Sequence, residues 1–155
     1  MNGALHIPFF GWAFRLLRPI AIDRRDARSA LKKVIRVGRD RLNEGIWVVM
    51  FPEGTRMPAG QLGRFQAGGA ALASATDTPL LVVAHSGGSY WPARRFRKYP
   101  GTIRLKIAPP IETANRPAKA INEEAAAIMG RLLNEIREQE PDVARIPSSQ
   151  LPSRL

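Results

Sequence analysis

The chain has 155 residues, 45% of them hydrophobic, with no cysteine, a make-up that fits one compact domain with a buried core and excludes a disordered tail, a collagen-like repeat and a disulfide scaffold. Thiolate catalysis, iron–sulfur ligation and Cys-based zinc sites are excluded too, and with His6 and His85 as the only histidines no metal centre is expected. The formal net charge is +11, and residues 1–111 carry 18 basic against 6 acidic groups, so an anionic partner is expected: a phosphate ester, a nucleic acid or an acidic lipid surface.

The first apolar stretch, Ile7–Ile22, is broken by Pro8, Arg15, Arg18 and Pro19, too short and interrupted to span a bilayer. It lacks the charged start and cleavage site of a signal peptide. Phe9, Phe10, Trp12 and Phe14 beside Arg15 and Arg18 suit either a lipid interface or docking onto a core. Pro19–Ile22 reads as a short buried strand. Asp26 reads as an N-cap, followed by Leu31, Val34, Ile35, Gly38 and Leu42 at helical spacing, with a strongly basic outer face. Gly45 suits a left-handed cap at the end of that helix. Ile46–Phe51 is a continuous apolar run, as expected of a strand covered on both faces.

A loop over residues 52–63 follows, then a small-residue helix over Gly68–Ala75 and a second buried strand over Pro79–Ala84. Residues 87–101 read as a long loop rich in aromatics and arginine. Thr102–Ala108 alternates Ile103, Leu105 and Ile107 with Arg104 and Lys106, the pattern of a half-exposed strand. The last helix is predicted over Pro117–Gln139, with Ile121, Ala125, Ile128, Met129, Leu132, Leu133 and Ile136 on one stripe. This order predicts an α/β fold, a partly parallel mixed sheet flanked by helices, in one domain over residues 1–140. Residues 141–155 are expected to form a mobile tail.

Phe51-Pro52-Glu53-Gly54-Thr55-Arg56 sits where a buried strand is expected to emerge into a loop, the usual ligand edge of an open α/β sheet. Pro52 stiffens the exit, and Gly54 lets the backbone approach a ligand closely. Thr55 offers a hydroxyl and an N–H; Arg56 offers a planar fork matched to phosphate or carboxylate. Glu53 would orient an arginine or accept a hydrogen bond from a substrate hydroxyl. The residues taken alone also permit a plain surface turn with a Glu–Arg pair.

This segment resembles the third sequence block of the glycerolipid acyltransferases, and the chain is similar to the 1-acylglycerol-3-phosphate acyltransferases. Ile7-Pro8-Phe9-Phe10-Gly11-Trp12 with Ile20–Arg24 looks like the second block. Phe65-Gln66-Ala67-Gly68 lies where the family usually has an aromatic, a lysine and a glycine. Pro79–His85 looks like the fourth block, and Trp91-Pro92, Pro100–Ile103 and Pro109-Pro110-Ile111 are similar to bacterial members. The resemblance covers roughly residues 5–138. It implies a glycerol-3-phosphate acyltransferase-like fold and transfer of a fatty acyl group from an acyl-CoA or acyl-carrier-protein thioester to a lysophospholipid, giving phosphatidic acid, with no further cofactor. It implies that Arg24, Glu53, Gly54, Thr55 and Arg56 hold the acceptor's phosphate and glycerol, and that the protein lies peripherally on the cytoplasmic face of an acidic membrane.

The family's general base is a histidine with an aspartate five positions later. Here Gly11 stands at that spacing from His6 and Tyr90 from His85. The resemblance therefore implies an N-terminally truncated domain, inactive or impaired as it stands, with no catalytic residue assigned. Gln66, in the place of the lysine, hydrogen-bonds but carries no charge. His85-Ser86 is not expected to form a nucleophilic pair, because adjacent strand residues point to opposite faces and no Gly-x-Ser-x-Gly elbow is present. Trp91–Tyr99 is aromatic and basic together, suiting a lipid headgroup layer, a nucleic-acid strand or a solvated loop. A non-catalytic module for anionic lipid is the alternative function; nucleic-acid binding is third and is not expected.

Overall fold

The computed structural model describes residues 12, 16–22, 26–59, 61–92 and 96–139. Helix α1 runs Ala27–Asn43. Asp26 opens it as predicted, its carboxylate accepting the Ser29 N–H at 3.0 Å, which satisfies one of the free amides of the first turn. At the far end the Gly45 N–H donates to the Leu42 carbonyl and the Ile46 N–H to the Arg41 carbonyl. With Gly45 at φ 75°, this is the Schellman arrangement that a left-handed glycine permits.

Helix α2, Gly68–Thr76, is built from Gly, Ala, Ser, Thr and one leucine. Its small side chains let it lie close to α1. A Cβ on Gly38 would stand 2.5 Å from Leu72 Cδ2, so the glycine makes room for a buried leucine. Strand β1 is Val83–His85, the single turn α3 is Gly87–Tyr90, β2 is Leu105–Ile107 and α4 is Ala118–Gln139. Strands β1 and β2 pair antiparallel, with Val83 opposite Ile107 and His85 opposite Leu105. An isolated antiparallel bridge, Leu80 to Ile111, prolongs this pairing.

The core lies between the inner sheet face and α4. Val82, Ala84, Ala108 and Ile111 pack on Ala125, Leu132 and Ile136, with Phe65, Leu80, Ile128, Met129 and Leu133 around them. Ile121 is fully buried, as is Thr113, whose hydroxyl donates to the Thr78 carbonyl at 2.9 Å. The α4 stripe is thus the one that the spacing predicts. Small residues on the sheet side (Ala84, Ala108) face larger ones on the helix (Leu132, Ile136).

Three strand expectations are corrected. Pro19–Ile22 forms no ladder and is largely exposed. Ile46–Phe51 pairs with no strand among the described residues: Ile46, Val48 and Met50 are half-buried, with the Met50 side chain near Gly68 and Gly69, while Trp47, Val49 and Phe51 are 77%, 78% and 78% exposed. An apolar run records which side chains favour burial but not whether a neighbouring strand and a covering layer are at hand. Pro79–Ala84 is buried on one face only, with Leu81 and Val83 exposed.

Strand β2 alternates as predicted, yet Leu105 and Ile107 face outward and Lys106 faces the helix. Lys106 lays its methylene stem toward α4 and pairs with Glu135 at 2.7 Å. The outer sheet face therefore shows Leu81, Val83, Leu105 and Ile107 together, the kind of apolar patch that marks an interaction surface. The expected domain end and tail, residues 140–155, lie outside the described residues. So does the aromatic cluster of Phe9, Phe10 and Phe14. Among the described residues no helix is long and apolar enough to cross a membrane.

Candidate functional site

The Phe-Pro-Glu-Gly-Thr-Arg segment leaves the extended run at Phe51 and turns at once. The Gly54 N–H donates to the Phe51 carbonyl at 3.0 Å, and Gly54 sits at φ 66°, a left-handed conformation that costs other residues energy. The loop's return limb is tied to its start in two places. The Gln66 N–H donates to the Pro52 carbonyl at 2.7 Å, and the Gly63 N–H donates to Glu53 Oε1 at 2.7 Å. Glu53 thus braces the loop through a backbone amide, and no arginine pairs with it among the described residues. A Cβ on Gly63 would meet Met57 Sδ at 2.9 Å, so a larger residue there would displace the methionine side chain.

Thr55 and Arg56 are exposed at the turn. Arg56 makes no hydrogen bond or ion pair with any described residue, which leaves its whole guanidinium fork available to an anion. It is not buried in the core. Arg24 lies outside the described residues. Gln66 is beside the turn, its Cγ 3.9 Å from where a Gly54 Cβ would be.

A second segment reaches the same edge. Gly88 lies against Ala59, 3.9 Å from a built Cβ to the Ala59 Cα, so the turn after β1 touches the 52–63 loop. That brings His85 to the edge, a residue that the spacing argument sets aside as a base. Its Nδ1 accepts the Gly87 N–H at 3.1 Å. A histidine, two glycines and a serine straight after a buried strand were the available signal, since small residues there allow two backbones to meet. The Ser86 hydroxyl accepts the Arg104 N–H at 2.9 Å.

Beyond α3 the basic aromatic segment stacks on itself. The Lys98 ammonium is 4.3 Å from the Trp91 ring centre, and the Arg97 guanidinium is 5.4 Å from that of Tyr99, both within cation–π range. Trp91 and Phe96 remain exposed. Among the described residues no group of three His, Asp or Glu side chains is placed to hold a metal ion.

The Acyltransferase family model matches residues 2–86. A 1-acyl-sn-glycerol-3-phosphate acyltransferase of Pseudomonas aeruginosa is 46% identical over 135 residues, which is 85% of this chain and 52% of that protein. One from Cocos nucifera is 28% identical over 89% of this chain and 46% of its own length. The crystal structure of the 1-acyl-sn-glycerophosphate acyltransferase PlsC from Thermotoga maritima superposes with a TM-score of 0.73 at 27% identity, covering 88% of this chain and 54% of that one. The chain spans about half the length of the curated relatives it matches.

Proposed function

Since this chain belongs to the Acyltransferase family and shares its α/β fold, we propose that its exposed strand-end turn binds the phosphate and glycerol of a 1-acylglycerol-3-phosphate, the acceptor of an acyl group in phosphatidic acid synthesis. The observation that carries this reading is Arg56, exposed and without a hydrogen bond or ion pair to any described residue, on a turn that Glu53 braces through the Gly63 amide. A guanidinium held ready in this way makes paired charge-assisted bonds to a phosphate. Arg24 adds a second cation to that phosphate. Gly54 and Thr55 bring a close backbone and a hydroxyl to the glycerol, and Glu53 holds the turn in shape while its second oxygen faces a glycerol hydroxyl.

The acyl donor is a thioester of coenzyme A or acyl-carrier protein. Transfer requires the glycerol hydroxyl to lose its proton as it attacks the thioester carbonyl, with the thiol leaving. A positioned base contributes about 10²–10⁴-fold to such a step. Neither histidine in these residues has the aspartate five positions on, so this chain by itself transfers acyl groups at a small fraction of the rate of its relatives. It meets its lipid at the cytoplasmic face of an acidic membrane, through the exposed Trp47, Phe51, Trp91 and Phe96 and the neighbouring cations.

The test mixes purified chain with radiolabelled acyl-CoA and 1-acylglycerol-3-phosphate. Binding of the lipid with transfer near background is the expected result. Failure to bind the lipid refutes the function, and transfer at a relative's rate refutes the impairment. Exposed apolar groups beside cations also favour a second reading, a non-catalytic module for anionic lipid. Equal affinity for any anionic lipid, with no preference for the phosphomonoester, would select it.

A further inference from the structure

We propose that the bare outer face of the β1–β2 sheet and the loop closed beside it form one surface that seats on an anionic bilayer, with Phe96 entering the acyl layer; this deepens the reading that the protein meets its lipid at an acidic membrane, and rests on it. The face is contiguous by register. Val83 stands opposite Ile107 and His85 opposite Leu105. The Ser86 N–H donates to the Arg104 carbonyl at 3.0 Å, which carries the pairing on to Gly87 and Ile103, where a Cβ on Gly87 would stand 3.9 Å from Ile103 Cδ1. Ile103, Leu105 and Ile107 therefore share one face. They are 57%, 58% and 60% exposed, while α4 covers the other side of the sheet.

The loop begins where this face ends. The Trp91 N–H donates to the Gly87 carbonyl at 2.9 Å, and the Tyr99 N–H to the Tyr90 carbonyl at 2.8 Å. The Tyr90 ring fills the space in which a Gly101 Cβ would lie. These contacts fix the base of the loop, yet Phe96 is fully exposed. Lys98 and Arg97 lie over the Trp91 and Tyr99 rings. Rings beside cations suit a headgroup boundary, with the apolar body toward the acyl chains and the charge toward phosphates. Charge decides the occupant. Residues 78–111 hold six basic residues and no acidic one, and a net charge of +11 opposes a second copy of the chain. A nucleic-acid strand would engage the cations and the rings, but it has nothing to set against an aliphatic sheet face. A bilayer engages all three.

The chain contains no cysteine, so an introduced one reports on a single place. Phe96→Cys, Ile107→Cys and Lys119→Cys, the last an exposed position on α4, each carry an environment-sensitive dye and meet vesicles of phosphatidylcholine mixed with phosphatidylglycerol. Expected are a blue shift and quenching by spin-labelled acyl chains at 96 and 107, and neither at 119. Without dye, Phe96→Ser should bind these vesicles about tenfold more weakly, and Arg97→Ser with Lys98→Ser about thirtyfold more weakly. The melting temperature should not move, since these side chains lie outside the core. A dye left in water at 96 or 107 on a chain that binds vesicles overturns the proposal and leaves the membrane reading standing, as do loop variants that bind like the parent. Loop variants that lose a single-stranded oligonucleotide but keep the vesicles assign the cations to nucleic acid and overturn it too. An unsubstituted chain that ignores the vesicles overturns both.

Discussion

The hydrogen bond from the Gly63 N–H to Glu53 Oε1, 2.7 Å long, closes the candidate turn across ten residues. Replacing Glu53 by Ala removes the acceptor and leaves the Gly63 amide to water or to nothing. A hydrogen bond to a charged group is worth about 1.5–3 kcal/mol net, and this one is only partly buried, so the lower figure applies. A loss of about 1.5 kcal/mol raises the open fraction of the loop about tenfold. The rest of the fold does not depend on the bond, because the core is formed by the inner sheet face and α4. Amide hydrogen exchange should therefore quicken about tenfold at Gly63 and at Gln66, whose N–H is bonded to the Pro52 carbonyl, with little change in α4. Glu53→Gln keeps an oxygen acceptor of neutral strength and should quicken exchange only about threefold. Unaltered exchange at Gly63 in Glu53→Ala would refute the bracing role, and equal quickening throughout the chain would show that the loop is not a separate unit.

Other expectations follow from single contacts. Gly38→Ala drives a methyl to 2.5 Å from Leu72 Cδ2; overpacking of about 1–3 kcal/mol exceeds the helix gain of about 1 kcal/mol, so the urea midpoint should fall, and Leu72→Ala should cost less in that background than alone. Thr113→Val leaves the half-buried Thr78 carbonyl without the hydroxyl that bonds it at 2.9 Å, and should lower stability by about 1 kcal/mol in denaturant titration. The Lys106 hydrogen bond holds the Glu135 carboxyl below the usual carboxylate range, and the Arg18 hydrogen bond does the same for Glu44. A carboxyl depressed in the folded state adds stability above its unfolded value and loses it as pH falls through the folded one. Glu44→Gln with Glu135→Gln should therefore lessen the loss of stability between about pH 6 and pH 3. Vesicles containing acidic lipid should retain the chain better than neutral ones, and salt should release it; equal retention in both would count against an acidic surface as partner.

Helices α1, α2 and α4 were legible because their signals are local, whereas the single turn Gly87–Tyr90 lies where a loop was expected. Asp26 caps the amide three residues on, Gly45 ends the same helix, and the Ile121-to-Ile136 stripe repeats at the helical period and meets the core. The strands were less so, because a face is decided by partners far along the chain. Lys106 turns inward because Glu135, 29 residues away, receives it. Trp47, Val49 and Phe51 stay exposed because nothing among the described residues covers them. The site divides in the same way. The turn could be read from six adjacent residues; the left-handed φ of Gly54 came only with the fold. The engagement of Glu53 by Gly63 and the meeting of Ala59 with Gly88 required the folded loop.

The central claim is that the guanidinium at position 56 grips the phosphate of a lysophospholipid. Calorimetric titration of the chain and of Arg56→Ala with 1-acylglycerol-3-phosphate, and with the same lipid lacking its phosphate, tests it most directly. The account predicts binding that depends on the phosphate and weakens about tenfold or more in Arg56→Ala. Equal affinity for the two lipids, or an Arg56→Ala variant that binds as tightly as the parent, would contradict it.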